Sequence, residues 1–432
     1  MPEHLIVIPF HDWRKCVREG FRTRDAHLIE AFARGQDFGK LLVVSRPITR
    51  LELTFHRESR ASGLRVVLAG PKWHVFHDHR GCYVFEYFDP DALGQILHGK
   101  PWFFRAYGSE EMSHGLFEAL KYLGMERPIA LSMNIRSARL AASLAAHQIP
   151  VAFDAFDNWL RFPLSPTELR LIDQSYGRFA EVAQLWFTNS ENNSEEFERR
   201  YSINPCVVVP NGVDHQRFQG PFREPRLLGQ IPVPRVFFGG KITHLFDFDL
   251  FNEVTARLKG IQFVLAGQIL DRAVWRRIQM RRNVHFVGDV HYDDYPAYVA
   301  ASDVCILPYV RDKNSHGANS IKLYEYAAAG KRTVSTDGNG AGALSQFLTI
   351  ANSADEFTRA IVASLEADGH AAEAREAGFS WDERARVLAR KMKEGFAKAQ
   401  GGRLSPLHDA GPIAVATNEG SGDQGAFTLE VS

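Results

Sequence analysis

Short apolar segments alternate with longer amphipathic ones along almost the whole chain. The first predicted strands are HLIVIPF and KLLVVSRP, and between them RDAHLIEAFARG has apolar residues at helical spacing. The pattern continues through LRVVLAG, YVFEYF, PIALSM, PVAFDAF and QLWFTNS. Buried strands connected by helices predict a parallel sheet with right-handed crossovers, so the expected fold class is α/β.

A second series of this kind begins near CVVVPNGVD (206–214) and continues through RVFFGG, IQFVLAGQ, NVHFVGDV, VCILPYV and RTVSTD. Because 432 residues exceed one ordinary hydrophobic core, we predict two doubly wound, Rossmann-like domains over 1–205 and 206–375. A further helix is predicted within 376–400. Residues 401–432 are rich in Gly, Ser, Pro, Ala and Asp, which predicts a disordered tail.

The charge balance and the cysteines limit the possible partners and compartments. Lys+Arg and Asp+Glu number 51 each, so the basic excess of a dedicated nucleic-acid binder is missing. The cysteines are dispersed and form no CxxC motif, as expected for a reducing cytoplasm; they are Cys16, Cys82, Cys206 and Cys305. No segment has the length of a signal-peptide core or a membrane span, which favours a cytoplasmic protein.

The segment RDKNSHGANSIKLYEYAAAGK connects the predicted strand VCILPYV to a helix that starts near Ser320. Ligands of doubly wound domains bind beyond the carboxyl ends of strands, and a helix N-terminus offers N–H groups to phosphate. Asn319 is predicted to cap this helix, and Gly317 would let the backbone approach a diphosphate closely.

Two charged residues of this helix suit a nucleotide. Lys322 lies in the first turn, where its ammonium group can bind phosphate. Glu325, three residues later, shares that face and can accept hydrogen bonds from ribose hydroxyls. An ordinary surface Lys–Glu pair is the alternative when these two residues are taken alone.

The order and spacing of VVVPNGVDHQRF, FVLAG, NVHFVGDV, YPAYVAASDVCILPY and SIKLYEYAAAGKRTVSTD resemble the GT-B glycosyltransferases. The resemblance is to family four, and within it to the exopolysaccharide and cell-wall polymer subset. It is strong over about 185–400 and fainter before. It implies two Rossmann-like domains that face a cleft: an N-terminal acceptor-side domain and a C-terminal nucleotide-sugar domain. The final helix would pack back on the N-terminal domain.

The resemblance also implies roles for individual residues. Glu325 matches the residue that holds the ribose, and Lys322 matches a catalytic residue at the diphosphate. The turn after the first strand of the C-terminal domain would contact phosphates through Gly239, Gly240 and Lys241. Further donor-side candidates are His316, Gly317 and Asn319, while Asn211 and Gly212 match a structural turn.

One position departs from the family pattern, because Gly317 stands where a Glu commonly contacts the transferred sugar. The retaining mechanism is therefore open, with His316 or Asn319 as possible substitutes. An inverting mechanism needs a general base near the acceptor. Asp154 and Asp157 follow the strand PVAFDAF and resemble a D-x-x-D-x-W element of the same subset, with Asp157 as first choice. A turn or helix cap is the alternative for each.

The segment FHDWRKCVREGFRTRDAHL follows the first strand and matches a glycine-containing loop that contacts donor phosphate or acceptor in the family. Its candidates are Gly20, Arg22 and Arg24, with Arg14, Lys15 and Arg18 close in sequence. These basic residues would attract an anionic acceptor such as a lipid diphosphate or an acidic sugar. Solvated surface charge is the alternative.

Two motifs contain metal-binding residue types without favouring a metal. FHDHR holds only His77, Asp78 and His79, so exposed histidines are expected. FDFD is predicted to start a helix, with Asp247 or Asp249 as its cap. No metal or cofactor is therefore expected, and the donor would be a UDP- or GDP-linked sugar bound as substrate.

The expected function is transfer of a hexosyl or related sugar from a nucleotide-diphosphate sugar to a glycan or lipid-linked acceptor, in polysaccharide or glycoconjugate biosynthesis. Peripheral contact with the cytoplasmic face of the inner membrane is possible, and no nucleic-acid partner is expected. The alternatives are a nucleotide-sugar epimerase or phosphorylase of the same fold, or a degenerate transferase that acts as a scaffold.

Overall fold

The computed structural model describes residues 3–49, 51–52, 65–203, 205–311, 319–338, 340–367 and 378–399. The predicted tail, His316 and Gly317 lie outside these residues. The chain divides into two compact units. The first contains the described residues up to 188, residues 193–209 and the described chain from 385, and the second contains 189–192 and the described part of 210–384.

The first unit is built on one mixed sheet with β1 at its centre. In the described residues its order is β10-β9-β8-β7-β1-β2-β6-β5-β4, and β3 also pairs with β6. The strands are β1 (His4–Ile8), β2 (Leu41–Val44), β3 (Ile48–Thr49), β4 (Arg65–Gly70), β5 (Trp73–His77), β6 (Tyr83–Asp89), β7 (Pro128–Ser132), β8 (Val151–Asp154), β9 (Leu185–Thr188) and β10 (Cys206–Val208).

Helices connect these strands and cover the sheet. They are α1 (Trp13–Glu19), α2 (Arg24–Arg34), α3 (Gly94–His98), α4 (Pro101–Ala106), α5 (Glu110–Tyr122), α6 (Ala138–Ala146), α7 (Pro166–Val182) and α8 (Glu191–Tyr201). The core shows how strands and helices pack: Phe153 of β8 stacks on Phe179 of α7 with ring centroids 3.7 Å apart. Both side chains are buried.

The expectation of a parallel sheet is wrong at one edge. β4 pairs antiparallel with β5, and β5 pairs antiparallel with β6. The physical reason is chain length. Gly70 pairs directly with Trp73, which leaves only Pro71 and Lys72 to connect the strands, whereas a parallel crossover needs about a dozen residues or more.

The prediction that CVVVPNGVD begins the second series is also wrong, because the strand in this segment belongs to the first sheet. β10 pairs in parallel with β9, with Cys206 opposite Trp186 and Val208 opposite Thr188. Helix α8 is the crossover between these strands. The break YSINPC therefore marks the end of α8, and the second unit begins after Val209.

The second unit contains a fully parallel sheet with the order β13-β12-β11-β14-β15-β16 in the described residues. Numbered within the unit, this is the order 3-2-1-4-5-6 of a doubly wound nucleotide-binding sheet. The strands are β11 (Arg235–Gly239), β12 (Gln262–Ala266), β13 (Val284–Phe286), β14 (Val304–Leu307), β15 (Thr333–Ser335) and β16 (Thr349–Ile350).

The helices of this unit are α9 (Phe248–Arg257), α10 (Arg272–Arg277), α11 (Tyr295–Ala300), α12 (Ile321–Ala328) and α13 (Ala354–Glu366). The last helix is α14 (Trp381–Ala399). Ser380 caps α14 by accepting a hydrogen bond from the Glu383 backbone at 3.1 Å. From Ala385 onward α14 belongs to the first unit. Among the described residues, none of the helices combines the length and apolar character that crossing a bilayer requires.

Two glycines in the middle of helices test the packing of the first unit. A methyl group on Gly177 in α7 would meet no atom within 4 Å, whereas one on Gly115 in α5 would lie 2.8 Å from the indole nitrogen of the buried Trp73. Gly177→Ala should stabilise the protein by about 1 kcal/mol through helix propensity. Gly115→Ala should be less stable than Gly177→Ala by about 1–3 kcal/mol because of overpacking. Urea unfolding midpoints measure the difference, and equal effects would contradict the packing of α5 on Trp73.

Candidate functional site

The candidate donor site lies where the strand order of the second sheet reverses. β11 and β14 are neighbours there, and their carboxyl ends continue into Gly240 and Pro308. Crossover connections leave in opposite directions from these two strands, which opens a crevice in doubly wound sheets. Helix α12 follows β14 in the chain, so its N-terminus belongs to the same region of the unit.

Lys322 covers the glycine turn that follows β11. A methyl group built on Gly240 would overlap the Cε of Lys322 and lie 2.8 Å from its Nζ. The Gly240 N–H donates to the Ala266 carbonyl at 2.7 Å. The structure therefore brings together Gly240 and Lys322, two of the residues predicted to bind the donor. Lys241 follows on the same turn and is half-buried.

Two tyrosines fix this turn against the helices. The Gly239 N–H donates to the Tyr326 hydroxyl at 2.9 Å, and the Tyr295 hydroxyl donates to the Gly239 carbonyl at 3.3 Å. A methyl group on Gly239 would lie 2.8 Å from the Tyr295 hydroxyl oxygen. Glycine is therefore required at Gly239 for the close approach of Tyr295, and the turn has little freedom to move.

Glu325 is a buried carboxyl group on the next turn of α12. Its side chain is only 3% exposed, and Oε1 accepts a hydrogen bond from the Tyr292 hydroxyl at 2.7 Å. Burial raises the pKa of Glu325, although the Tyr292 hydrogen bond and the charges of Lys322 and Arg217 act in the opposite direction. A carboxylate has about four acceptor positions, so Tyr292 leaves capacity for ligand hydroxyls.

Tyr292 was missed at the sequence level. It precedes Glu325 by 33 residues, and no local spacing relates the two. The Arg217 guanidinium lies 5.3 Å from the centre of the Tyr292 ring, and Arg217 also pairs with Asp214 at 3.5 Å and Asp293 at 3.4 Å. The run of aromatic and acidic residues in HYDDYPAY was the signal that could have drawn attention to this tyrosine.

The prediction that Asn319 caps α12 is wrong. Ser320 occupies the N-cap position and makes no side-chain hydrogen bond to the helix. The Asn319 side chain instead accepts from the Asn211 backbone at 2.9 Å, and the Asn211 side chain donates to the Asn319 carbonyl. Asn319 therefore connects the start of α12 to the turn at Asn211.

Several basic residues predicted to contact phosphate or acceptor form ion pairs inside the first unit. The predicted loop contains helix α1, which ends at Gly20 with φ 77°. Arg22 donates to Glu19 at 3.0 Å, and the buried Arg24 donates to Asp154 at 2.9 Å. Arg14 pairs with Glu86 at 2.6 Å, and the Lys15 ammonium lies 4.0 Å from Glu19. These pairs reduce the positive charge that an anionic acceptor would meet.

The two aspartates proposed as bases differ in their surroundings. Asp154 ends β8 and is buried against Arg24. Burial raises its pKa despite the opposing charge of Arg24. Asp157 is half-buried on the following turn, where its carbonyl accepts from the Tyr176 hydroxyl at 2.9 Å. Asp154 therefore has a structural partner that fixes it, and Asp157 stays the predicted acceptor-side candidate of the pair.

The motifs with metal-binding residue types have structural roles. Asp247 caps α9 by accepting from the Leu250 backbone at 2.9 Å, as predicted. His77 and His79 are exposed, also as predicted. The buried Asp78 accepts from Arg80. Within the described ranges, no group of three or more His, Cys, Asp and Glu side chains has positions that could hold a metal ion.

Comparison with known proteins connects this site to glycosyltransferases. Residues 234–367 match the family model for "Glycosyl transferases group 1". A Bacillus subtilis (strain 168) protein described as a glycosyltransferase of teichuronic acid biosynthesis, TuaH, is 24% identical over 181 residues. That alignment covers 40% of this chain and 45% of TuaH, so it spans less than half of each protein.

Solved structures match almost the whole chain. The Anabaena protein HepE in complex with UDP is 13% identical with a TM-score of 0.57, and the match covers 92% of this chain and 99% of HepE. The trehalose 6-phosphate synthase of Burkholderia multivorans is 13% identical with a TM-score of 0.63, with 92% and 100% covered. The fold is GT-B. The predicted fold class is therefore confirmed, and the residues matched by the group 1 model include Gly239, Gly240, Lys322 and Glu325.

Gly240→Ala should weaken nucleotide binding without unfolding the protein. The added methyl group displaces only the flexible end of Lys322, so the free energy of unfolding should change by less than about 0.5 kcal/mol. Loss of a charged hydrogen bond should weaken UDP binding roughly tenfold to 100-fold. Urea unfolding and calorimetric titration with UDP measure the two quantities.

Gly267→Ala is the matched comparison for that experiment. Gly267 has φ 133°, and a methyl group there would overlap the backbone carbonyl of Gly240. Backbone atoms cannot move aside as a lysine does, so this variant should lose about 1–3 kcal/mol of stability. Equal stability of the two alanine variants would contradict the described geometry of the turn.

Glu325→Gln should lose ribose binding while remaining stable. The folded protein holds the pKa of Glu325 above its ordinary value. At a pH between the ordinary pKa and the raised pKa, the folded state therefore binds more protons than the unfolded state. Stability of the wild type should therefore fall as the pH rises from about 4.3 through the raised pKa. Glu325→Gln has no titrating carboxyl group at this position, so its free energy of unfolding should decline less over that pH range. A steeper decline in the variant would show that the carboxylate stabilises the fold.

Proposed function

We propose that this protein is a glycosyltransferase that moves a sugar from a nucleotide-diphosphate sugar to a hydroxyl group of its acceptor. The observation that carries the proposal is the position of Lys322 over the Gly240 turn, with Glu325 one helical turn further along α12. These residues lie in the part of the chain that matches the group 1 glycosyltransferase model.

The geometry of α12 suits a nucleotide that lies along the helix. Residues three apart in a helix are separated by about 4.5 Å along its axis. The diphosphate would contact the first turn of α12, where the positive end of the helix dipole and Lys322 supply positive charge. The ribose hydroxyls would then donate to Glu325, which Tyr292 holds in place from the other side.

This arrangement would act on the leaving group of the reaction. Negative charge develops on the diphosphate as its bond to the sugar breaks. Fixed positive groups in a partly buried site stabilise that charge more than water does, because they need no reorganisation. Lys322 would therefore contribute to the rate of transfer as well as to donor binding.

A UDP-linked donor is the first candidate. HepE was solved with UDP, with UDP and glucose, and with UDP-glucose, and TuaH is described as a glycosyltransferase of teichuronic acid biosynthesis. We propose a glycan or lipid-linked acceptor and a role in polysaccharide or glycoconjugate assembly, with the description of TuaH as support for that role. Peripheral contact with the cytoplasmic membrane would give access to such an acceptor and is part of the same proposal.

The first test is a thermal unfolding screen with UDP, GDP, ADP and their common sugars. A ligand at 100 times its dissociation constant adds about 2.7 kcal/mol of stability. One nucleotide should raise the midpoint of the wild type, and the rise should disappear in Glu325→Gln and Lys322→Ala. The control variants Glu253→Gln and Lys391→Ala change exposed residues of helices α9 and α14 and should keep the rise.

The second test measures turnover with the nucleotide sugars that bind. Release of the nucleotide in the presence of water or an added glycan should accompany transfer of the sugar. Binding without release of nucleotide from any of these sugars would contradict the transferase proposal and favour a non-catalytic sugar-nucleotide binder. Conversion of the donor to an isomer without acceptor would instead indicate an epimerase.

A further inference from the structure

Arg136 is a basic residue of the first unit that the sequence analysis did not identify. It lies four residues after the end of β7, in a short 3₁₀ helix (Ile135–Ser137). The central carbon of its guanidinium group is 5.0 Å from the centre of the Phe10 ring and 5.9 Å from that of the Phe103 ring. Within the described part of the chain, no carboxylate forms an ion pair with this charge.

The carboxylate that acts on Arg136 from a greater distance belongs to Glu168, which has other partners. Glu168 accepts hydrogen bonds from the Ser165 hydroxyl at 2.7 Å and the Ser165 backbone at 3.1 Å, and it lies 3.7 Å from the Lys100 ammonium group. Burial lowers the pKa of Arg136, although Tyr107 and Glu168 act in the opposite direction. An arginine stays protonated in such surroundings, so the protein keeps a partly desolvated positive charge without a close counter-ion.

Arg46 provides an internal comparison, because it lies over the same aromatic ring. Its guanidinium carbon is 5.4 Å from the centre of the Phe103 ring. Arg46 also donates hydrogen bonds to the carboxylates of Asp12 and Glu52, each at 3.0 Å. Arg136 therefore differs from Arg46 in its missing ion pair and not in its aromatic neighbour.

The surroundings of Arg136 hold it in place before any ligand binds. The Asn134 side chain accepts a hydrogen bond from the Arg136 backbone at 3.0 Å and donates one to the Pro9 carbonyl at 3.0 Å. The Phe10 ring next to the guanidinium group stacks on Trp159, with ring centroids 4.6 Å apart. A charge fixed in this way loses little freedom when a ligand binds to it.

Arg136 lies where the strand order of the first sheet reverses. β1 is followed in the chain by β2 on one side, while β7 lies on its other side. Ligands of open α/β sheets bind beyond the carboxyl ends of strands at such a reversal. The rings of Phe10, Phe103 and Trp159 are partly exposed there, and a few polar groups beside an apolar surface are typical of small-molecule sites.

We infer that Arg136 binds an oxyanion on the acceptor, so that the acceptor is an acidic sugar or a sugar phosphate. The inference rests on the proposed function for the role of this ligand as acceptor. A guanidinium group binds a carboxylate or a phosphate through two parallel hydrogen bonds. Such a pair is stronger in a partly desolvated position than in water. The ligand would supply the counter-ion that the described residues do not provide.

The test uses three probes that differ only at the sixth carbon of one sugar. They are methyl β-glucoside, methyl β-glucuronide and the 6-phosphate of methyl β-glucoside, which carry a hydroxyl, a carboxylate and a phosphate group there. Calorimetric titration gives their dissociation constants with the wild-type chain, Arg136→Met and Arg136→Lys. Arg139→Met is the matched control, because Arg139 is an exposed residue of α6 that donates to the Arg105 carbonyl at 3.4 Å.

The wild type should bind one of the charged glycosides roughly tenfold to 100-fold more tightly than the neutral one. A preference for the glucuronide would identify the group as a carboxylate, and a preference for the phosphate would identify a sugar phosphate. Arg136→Met should bind all three probes equally. Arg136→Lys should keep part of the preference, because an ammonium group has charge without the planar fork. Arg139→Met should keep all of it.

Thermal unfolding separates this role from simple packing on the aromatic rings. Arg136→Met should unfold at the wild-type midpoint or above it, because the variant removes a charge that has no counter-ion. Arg46→Met should unfold at a lower temperature, because it leaves Asp12 and Glu52 without their partner. If Arg136→Met does not fold, the comparison of Arg136→Lys with the wild type decides the question.

Equal binding of the three glycosides by the wild type, or no binding of any, would overturn the inference. A preference that persists in Arg136→Met, with a lowered unfolding midpoint, would also overturn it and assign Arg136 a packing role. Stabilisation by UDP is measured on the same preparations and should be equal in wild type and Arg136→Met, since Lys322 and Glu325 belong to the second unit. Absence of any effect of UDP would contradict the proposed function instead, so the two failures are distinguishable.

Discussion

The geometry of the candidate donor site depends first on the hydrogen bond from the Gly239 backbone to the Tyr326 hydroxyl, which the bond from Tyr295 to the Gly239 carbonyl supplements. It fixes helix α12 against the end of the central strand of its sheet. With the helix in that position, Lys322 lies over Gly240 and Glu325 meets Tyr292. In the proposed function, the lysine and the carboxyl group would be in place before a nucleotide binds, and preorganisation of this kind lowers the cost of binding and of charge stabilisation.

Both units place polar side chains at the same position relative to their sheet, although the side chains differ in type. In each sheet the polar groups gather beyond the carboxyl ends of the strands at the reversal of strand order. The second unit presents Lys322 and the N-terminus of helix α12, both of which carry positive charge. The first unit presents His11, whose ring is hydrogen-bonded to the buried Asp25 carboxylate.

Much of this could be predicted from the sequence, because the relevant signals are local. Strand and helix periodicity gave the parallel second sheet, and the spacing within α12 gave the Lys322 and Glu325 pair. Tyr292 and the His11–Asp25 pair were missed because their partners are 33 and 14 residues away. Asn319 was misassigned since its partner, Asn211, lies 108 residues away. The antiparallel edge could have been recognised, because a two-residue connection permits no parallel crossover.

The most direct test of the central claim is a crystal structure with UDP bound. The account predicts ribose hydroxyls within hydrogen-bond distance of the Glu325 carboxylate. It also predicts diphosphate oxygens in contact with Lys322 and the first N–H groups of α12. A nucleotide bound elsewhere on the second unit, or one bound with Glu325 contacting only Tyr292, would contradict it.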